Sequence, residues 1–209
     1  MPERTSPSKS GEPSPLLKGR RDSFYELMLQ AYESALAPRT AIYCSAPITS
    51  GRRYIEWLQT RRERTSIDEL SNEERALHQK HVIEPNQRHG KQVANRLRQR
   101  SGKPVIDPTA VGPVEGWRQA DWIAFWEEVI GRYVSELVMI EGWEYSFGCT
   151  HEFWFAQSHD LPCYNESISL ISPSDAVRSI RRAIGELEAI NVDAAKLKSV
   201  LRLLERAGS

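Results

Sequence analysis

The chain has 209 residues, enough for one domain with a sizeable core and an added helical layer. Its 28 Lys+Arg balance 28 Asp+Glu, and 40% apolar with 27% charged residues exclude collagen-like and wholly disordered chains. No apolar run approaches the roughly 18–20 residues of a membrane span, and no apolar leader is visible, so neither membrane nor secretion is expected. Cys44, Cys149 and Cys163 are widely spaced and form no CxxC pair. That argues against a disulfide framework and a zinc site, and fits a reducing cytosol.

Residues 1–21 hold four of the twelve prolines and few large apolar groups, which predicts a disordered tail. From Asp22, Phe24, Leu27, Met28, Ala31 and Tyr32 recur at helical spacing, predicting a helix within 22–39 that Pro38 ends. Thr40 to Ser45 is β-favouring and runs into the turn Ala46-Pro-Ile-Thr-Ser-Gly51. Residues 52–83 look helical and charged, with 55–83 reading as an insertion. A helix over Asn86–Arg100 is expected next, capped by Asn86 and stopped by Ser101-Gly102. Lys103 to Pro108 is a second short strand, and Trp117 to Val134 a long amphipathic helix. Glu136–Ile140 is a third strand, Phe147–Ser158 a helix and Leu161–Tyr164 a fourth strand. Two amphipathic helices close the chain, the first opening near Ser172-Pro173.

Strand alternating with helix predicts a Rossmann-like three-layer α/β/α domain over 40–170, with a central parallel sheet of about four or five strands. The stretch 171–209 is a helical extension.

The zero net charge is unevenly built. Residues 52–103 carry a net +6 and residues 104–166 a net −9. Nucleic-acid binding would show as an overall basic excess, so it is not expected. GxGxxG, the P-loop pattern and GxSxG are absent, and His78 with His81 lacks a third metal ligand. No cofactor or metal is implied.

The informative stretch follows the third strand and opens a helix, running from Met139 to Ala156. Ser146 and Gly148 then stand at the C-terminal edge of the sheet, where open α/β sheets bind ligands, beside helix N–H groups that favour an anion. Glu152 falls in the first helical turn, where the dipole favours the ionised carboxylate as a nucleophile over a proton donor. A residue that only complements the dipole would occupy the same place.

Gly142-Trp143-Glu-x-Ser146-x-Gly148-x-x-x-Glu152 resembles a bacterial and phage family of nucleoside 2-deoxyribosyltransferase-like proteins. That family opens on a strand and a YxAGPMTG turn, to which Tyr43-Cys-Ser-Ala-Pro-Ile-Thr-Ser-Gly51 is similar. Asn86 and Asp107-Pro108 match its Asn-initiated helix and its strand end, and the likeness spans about 40–165.

The resemblance implies N-glycosidic bond chemistry in which Glu152 attacks the anomeric carbon of a nucleoside or nucleotide. It also implies Glu128, eight residues before Glu136, as a sugar-orienting carboxylate, with Asp121 on the same helix face; a solvated polar stripe has that spacing too. Serine at 146 is similar to the nucleoside 5′-monophosphate N-glycosidases of the superfamily. There Ser146 would bind phosphate with Ser50, Gly51 and an arginine, Arg52 or Arg53. Ala46-Pro47 departs from the glycine-serine pair of those enzymes. Trp143, in the loop beside Ser146, is the candidate to stack on the base.

The expectation is therefore a cytoplasmic, homo-oligomeric N-glycosidase of nucleoside 5′-monophosphates, its C-terminal helices serving assembly. A base-exchanging 2-deoxyribosyltransferase and a non-catalytic nucleotide sensor are the alternatives.

Overall fold

The computed structural model describes residues 15–61 and 70–207, with side chains from Ser23 onward. Its helices are α1 (Pro15–Ala35), α2 (Arg52–Gln59), α3 (Asn72–His78), α4 (Glu84–Ser101), α5 (Gln119–Tyr133), α6 (Phe147–Ser158), α7 (Pro173–Ala189) and α8 (Ala195–Ala207). The strands are β1 (Ala41–Ser45), β2 (Val105–Ile106), β3 (Val134–Met139) and β4 (Cys163–Asn165), all parallel, in the order β2-β1-β3-β4.

Alternation along β1 explains the layers. Ala41 and Tyr43 share a core with Phe125, Val129 and Phe153 of α5 and α6, whereas Ile42 and Cys44 pack on Val93, Ala94 and Leu97 of α4. A strand buried on both faces needs helices on both, which is the Rossmann-like three-layer arrangement. From β1 the chain crosses one way to β2, and from β3 the other way to β4. The strand order therefore reverses between β1 and β3, whose C-terminal ends are Ser45 and Met139.

Several element boundaries differ from expectation. Residues 1–14 of the expected tail lie outside the described residues, but Pro15–Arg21 already belong to α1. Proline suits a first helical position, having no N–H to leave unpaired. The first helix stops at Ala35 rather than Pro38, and the chain reverses at Arg39, whose φ is 52°. Asn86 caps nothing: α3 continues through one wide π turn, Gln79–Ile83, directly into α4. Pro85 explains that turn, since its ring clashes with the carbonyl of His81 and offers it no N–H in a regular α-helix. Residues 62–69 of the expected insertion lie outside the described residues.

The helices α7 and α8 fold back on their own domain. Ile180, Ala183, Ile184 and Leu187 of α7, and Leu197, Val200 and Leu204 of α8, are buried in the main core. Their apolar faces are thus taken up inside the chain, which corrects the assembly role expected of them. Ser172 caps α7, its Oγ accepting from the Asp175 N–H at 3.1 Å. Ser172→Ala should lower stability by about 1 kcal/mol, read as a reduced Tm. Among the described residues no helix is long and apolar enough to cross a membrane.

Candidate functional site

The site is built where the strand order reverses. Tyr43 and Ser45 lie two residues apart on β1, so both side chains leave the same face of the sheet. Glu152 reaches them from α6. Its Oε1 accepts from the Tyr43 hydroxyl at 2.7 Å and its Oε2 from the Ser45 hydroxyl at 2.6 Å. Both donors are fully buried, and Glu152 keeps only a partly accessible surface.

Glu152 is not in the first helical turn, because α6 starts at Phe147 behind its cap Ser146 and Glu152 is the sixth residue. The helix dipole acts mainly within one turn, so it does little for this carboxylate. Burial outweighs the two hydroxyl donors and pushes the Glu152 carboxyl up from 4.5 to about 7. Near neutral pH the group is poised between its two protonation states. The same crowding, with Glu152 next to it, drives the Tyr43 phenol well above 10, so its hydroxyl remains a donor.

The turn after β1 sits close to the turn after β3. Gly51 has φ 85°, and a Cβ on it would lie 2.8 Å from the Pro47 side chain. Gly142 has φ 82°, and a Cβ there would lie 2.9 Å from the Arg52 nitrogen. Only glycine permits both the left-handed backbone and this approach. Ser146 is buried, with its Oγ 3.5 Å from the Cys149 N–H. A Cβ on Gly148 would meet only Ser146 Oγ, at 4.0 Å, so this end of α6 is open in front.

Glu152, Ser146, Gly148, Ser50 and Gly51 are accordingly gathered around the C-terminal ends of β1 and β3. The remaining expected residues have other partners. Glu128 does not join Glu152: it accepts from the Tyr25 hydroxyl at 2.6 Å and pairs with Arg132, tying α5 to α1. Asp121 accepts from the Arg118 N–H at 2.8 Å and so caps the start of α5. Arg52 pairs with Glu56 on the surface, and Arg53 donates to Asn86. Trp143 is buried against Phe153, ring centroids 5.1 Å apart, and offers no free face to a base. On α5, Trp126 packs on Tyr43 with ring centroids 5.7 Å apart and is as buried as Trp143, while the partly exposed Trp122 runs nearly parallel to Trp126 at 6.2 Å.

Sequence reasoning gave no site role to Tyr43 or Ser45, read Asn86 only as a helix cap and family match, and weighed His78 only as a metal ligand lacking partners. The available signal was polarity on β1 amid otherwise apolar residues, and an asparagine inside a helix. Asn86 spans the turn after β1, donating to the carbonyls of Ile48 and Ser50. His78 meets Thr49 from α3, with burial lowering its pKa and so favouring the neutral ring. Glu144 is half-buried between the charges of Arg182 and Arg52, and burial raises its carboxyl. Among the described residues no cluster of His, Cys, Asp and Glu could hold a metal ion. No protein-family model, no curated protein and no solved structure matches the chain.

Proposed function

We propose that the protein is a cytoplasmic N-glycosidase of nucleoside 5′-monophosphates that works through Glu152. One observation carries this reading: a carboxylate enclosed at the β1/β3 reversal, each oxygen held by one hydroxyl, one from Tyr43 and one from Ser45. That crevice is where open α/β sheets bind small ligands. An ionised Glu152 oxygen attacks the anomeric carbon as the carbon–nitrogen bond breaks, and the departing base takes the bond's electron pair and a proton from solvent. Water then attacks the same carbon as its bond to the Glu152 oxygen breaks, losing a proton to solvent, releasing the sugar phosphate and regenerating the carboxylate. Tyr43 and Ser45 fix the carboxylate's orientation through this cycle. Transfer to a second base, in place of water, would make the same site a 2-deoxyribosyltransferase.

The phosphate contact rests on Ser50, Gly51, Ser146 and Gly148, with Arg52 at the rim. Trp122, partly exposed and stacked on the buried Trp126, replaces Trp143 as the candidate for the base. A homo-oligomer stays part of the reading through the resemblance, using surfaces other than the apolar faces of α7 and α8. The three described cysteines are unpaired and buried, in keeping with a reducing compartment.

A second reading is favoured by the raised Glu152 carboxyl. A group titrating near 7 is suited to give a proton to the departing base, as a general acid. A base-release screen across nucleosides and their 5′-monophosphates tests the proposal. Monophosphates should be preferred; preference for nucleosides would remove the phosphate role of Ser146.

A further inference from the structure

Three successive carbonyls of the turn after β1 are drawn to one side. Asn86, only 3% exposed, gives both amide hydrogens to this turn: one to the Ile48 carbonyl at 3.0 Å and one to the Ser50 carbonyl at 2.9 Å. Its Oδ1 accepts from Arg53 Nη1 at 2.8 Å, where α2 begins. Between those two carbonyls, the Thr49 oxygen lies 2.8 Å from His78 Nε2, which must carry the proton to donate to it. His78 itself packs against the rings of Tyr54 and Trp57. Asparagine is a poor helix-interior residue, so an asparagine here that bonds away from its own helix has a tertiary task.

The direction of the amides follows. No peptide bond in the described chain is cis, and in a planar trans peptide the N–H points opposite to the carbonyl. With the carbonyls of Ile48, Thr49 and Ser50 turned toward α3 and α4, the N–H groups of Thr49, Ser50 and Gly51 face the other way. Gly142 neighbours this turn, its carbonyl oxygen lying 3.5 Å from a Cβ built on Gly51. Gly142 in turn leads to Ser146 and the open end of α6.

We infer that Asn86, with His78, is a positioning residue for phosphate: it holds the turn after β1 so that consecutive amides present to the phosphate of the substrate. Such runs of backbone N–H groups bind anions without a dedicated charge. The inference rests on the reading that Ser50 and Gly51 meet the phosphate. It also gives the helix carrying Asn86, the basic part of the chain, a task that its charge alone does not suggest.

The test uses probes that lack a base: ribose 5-phosphate and 2-deoxyribose 5-phosphate, each titrated against the free sugar by calorimetry. The unsubstituted protein should bind the phosphates at least about tenfold more tightly than the sugars, the margin of one charge-assisted contact set. In Asn86→Ala and Asn86→Asp that margin should fall to about twofold or less, because neither side chain can donate to the two carbonyls. Asn86→Asp keeps a partner for Arg53, so a merely structural link would leave the margin intact. His78→Phe retains a ring against Tyr54 and Trp57 and should narrow the margin in a protein that melts normally. A margin that persists in all three variants overturns the positioning role alone. Equal binding of sugar and sugar phosphate by the unsubstituted protein overturns the phosphate reading and this inference with it.

Discussion

Replacing Glu152 by glutamine is expected to cut base release by about a thousandfold or more while leaving nucleotide binding within about threefold. The amide is nearly the same size, so the enclosure made by β1 and α6 can persist. Its carbonyl oxygen can still accept from one hydroxyl, and the other hydroxyl can rotate to accept from the amide nitrogen. What is lost is the electron pair that bonds the anomeric carbon and offsets its developing positive charge. Single-turnover base release, with binding followed by calorimetry on the same preparation, separates these effects. Loss of binding together with turnover would instead indicate damage to the crevice.

The second large effect concerns pH and acts on stability and rate through the same group. Unfolded, the Glu152 carboxyl titrates at 4.5, and folded it titrates at about 7. Between those values the folded protein keeps a proton that the unfolded chain has released, so stability falls as pH rises. The contribution is fully present below about 4.5 and is lost as pH passes 7. At about 1.4 kcal/mol per pKa unit, the difference is on the order of 3 kcal/mol.

Glu144 is shifted in the same direction, so the profile of the unsubstituted protein is a sum. The difference between that profile and the Glu152→Gln profile isolates Glu152. The variant should gain stability relative to the unsubstituted protein at pH 8 and not at pH 4, by denaturant unfolding. The rate carries the opposite sign. A nucleophile must be ionised, so kcat/KM should rise with pH through an apparent pKa near 7; a proton-donating Glu152 would make it fall there.

The parts of the fold legible in the sequence were those with local causes. Ser146 and Ser172 carry their own capping signals, and α6 and α7 begin where those signals stand. The apolar run before Gly142 could hardly be other than a buried strand, and Val134–Met139 is one. Asn86 misled because a capping asparagine and a clamping asparagine look alike in sequence. The π turn that accommodates Pro85 leaves no local mark in the sequence, so the run of α3 into α4 was not legible there.

The candidate site was legible in its carboxylate and not in its surroundings. Glu152 could be picked from its place behind a strand and a turn, but its ionisation depends on burial that spacing does not encode. Tyr43 and Ser45 reach it across a sequence separation of more than 100 residues. Trp143 shares the glycine-rich loop with Ser146, yet it turns inward onto Phe153, and only packing decides that. The same holds for Glu128, where Tyr25 of α1 takes the carboxylate expected to orient a sugar.

The central claim is that Glu152 bonds covalently to the sugar, and intact-protein mass spectrometry tests it most directly. The unsubstituted protein would be quenched in acid during turnover of nucleoside 5′-monophosphates carrying a 2-fluoro sugar, which slows breakdown of a glycosyl-enzyme. The account predicts a mass increase of one sugar phosphate, mapped by peptide fragmentation to Glu152, and no adduct in Glu152→Gln. Base release by the unsubstituted protein without any adduct, matched in rate by Glu152→Gln, would contradict it.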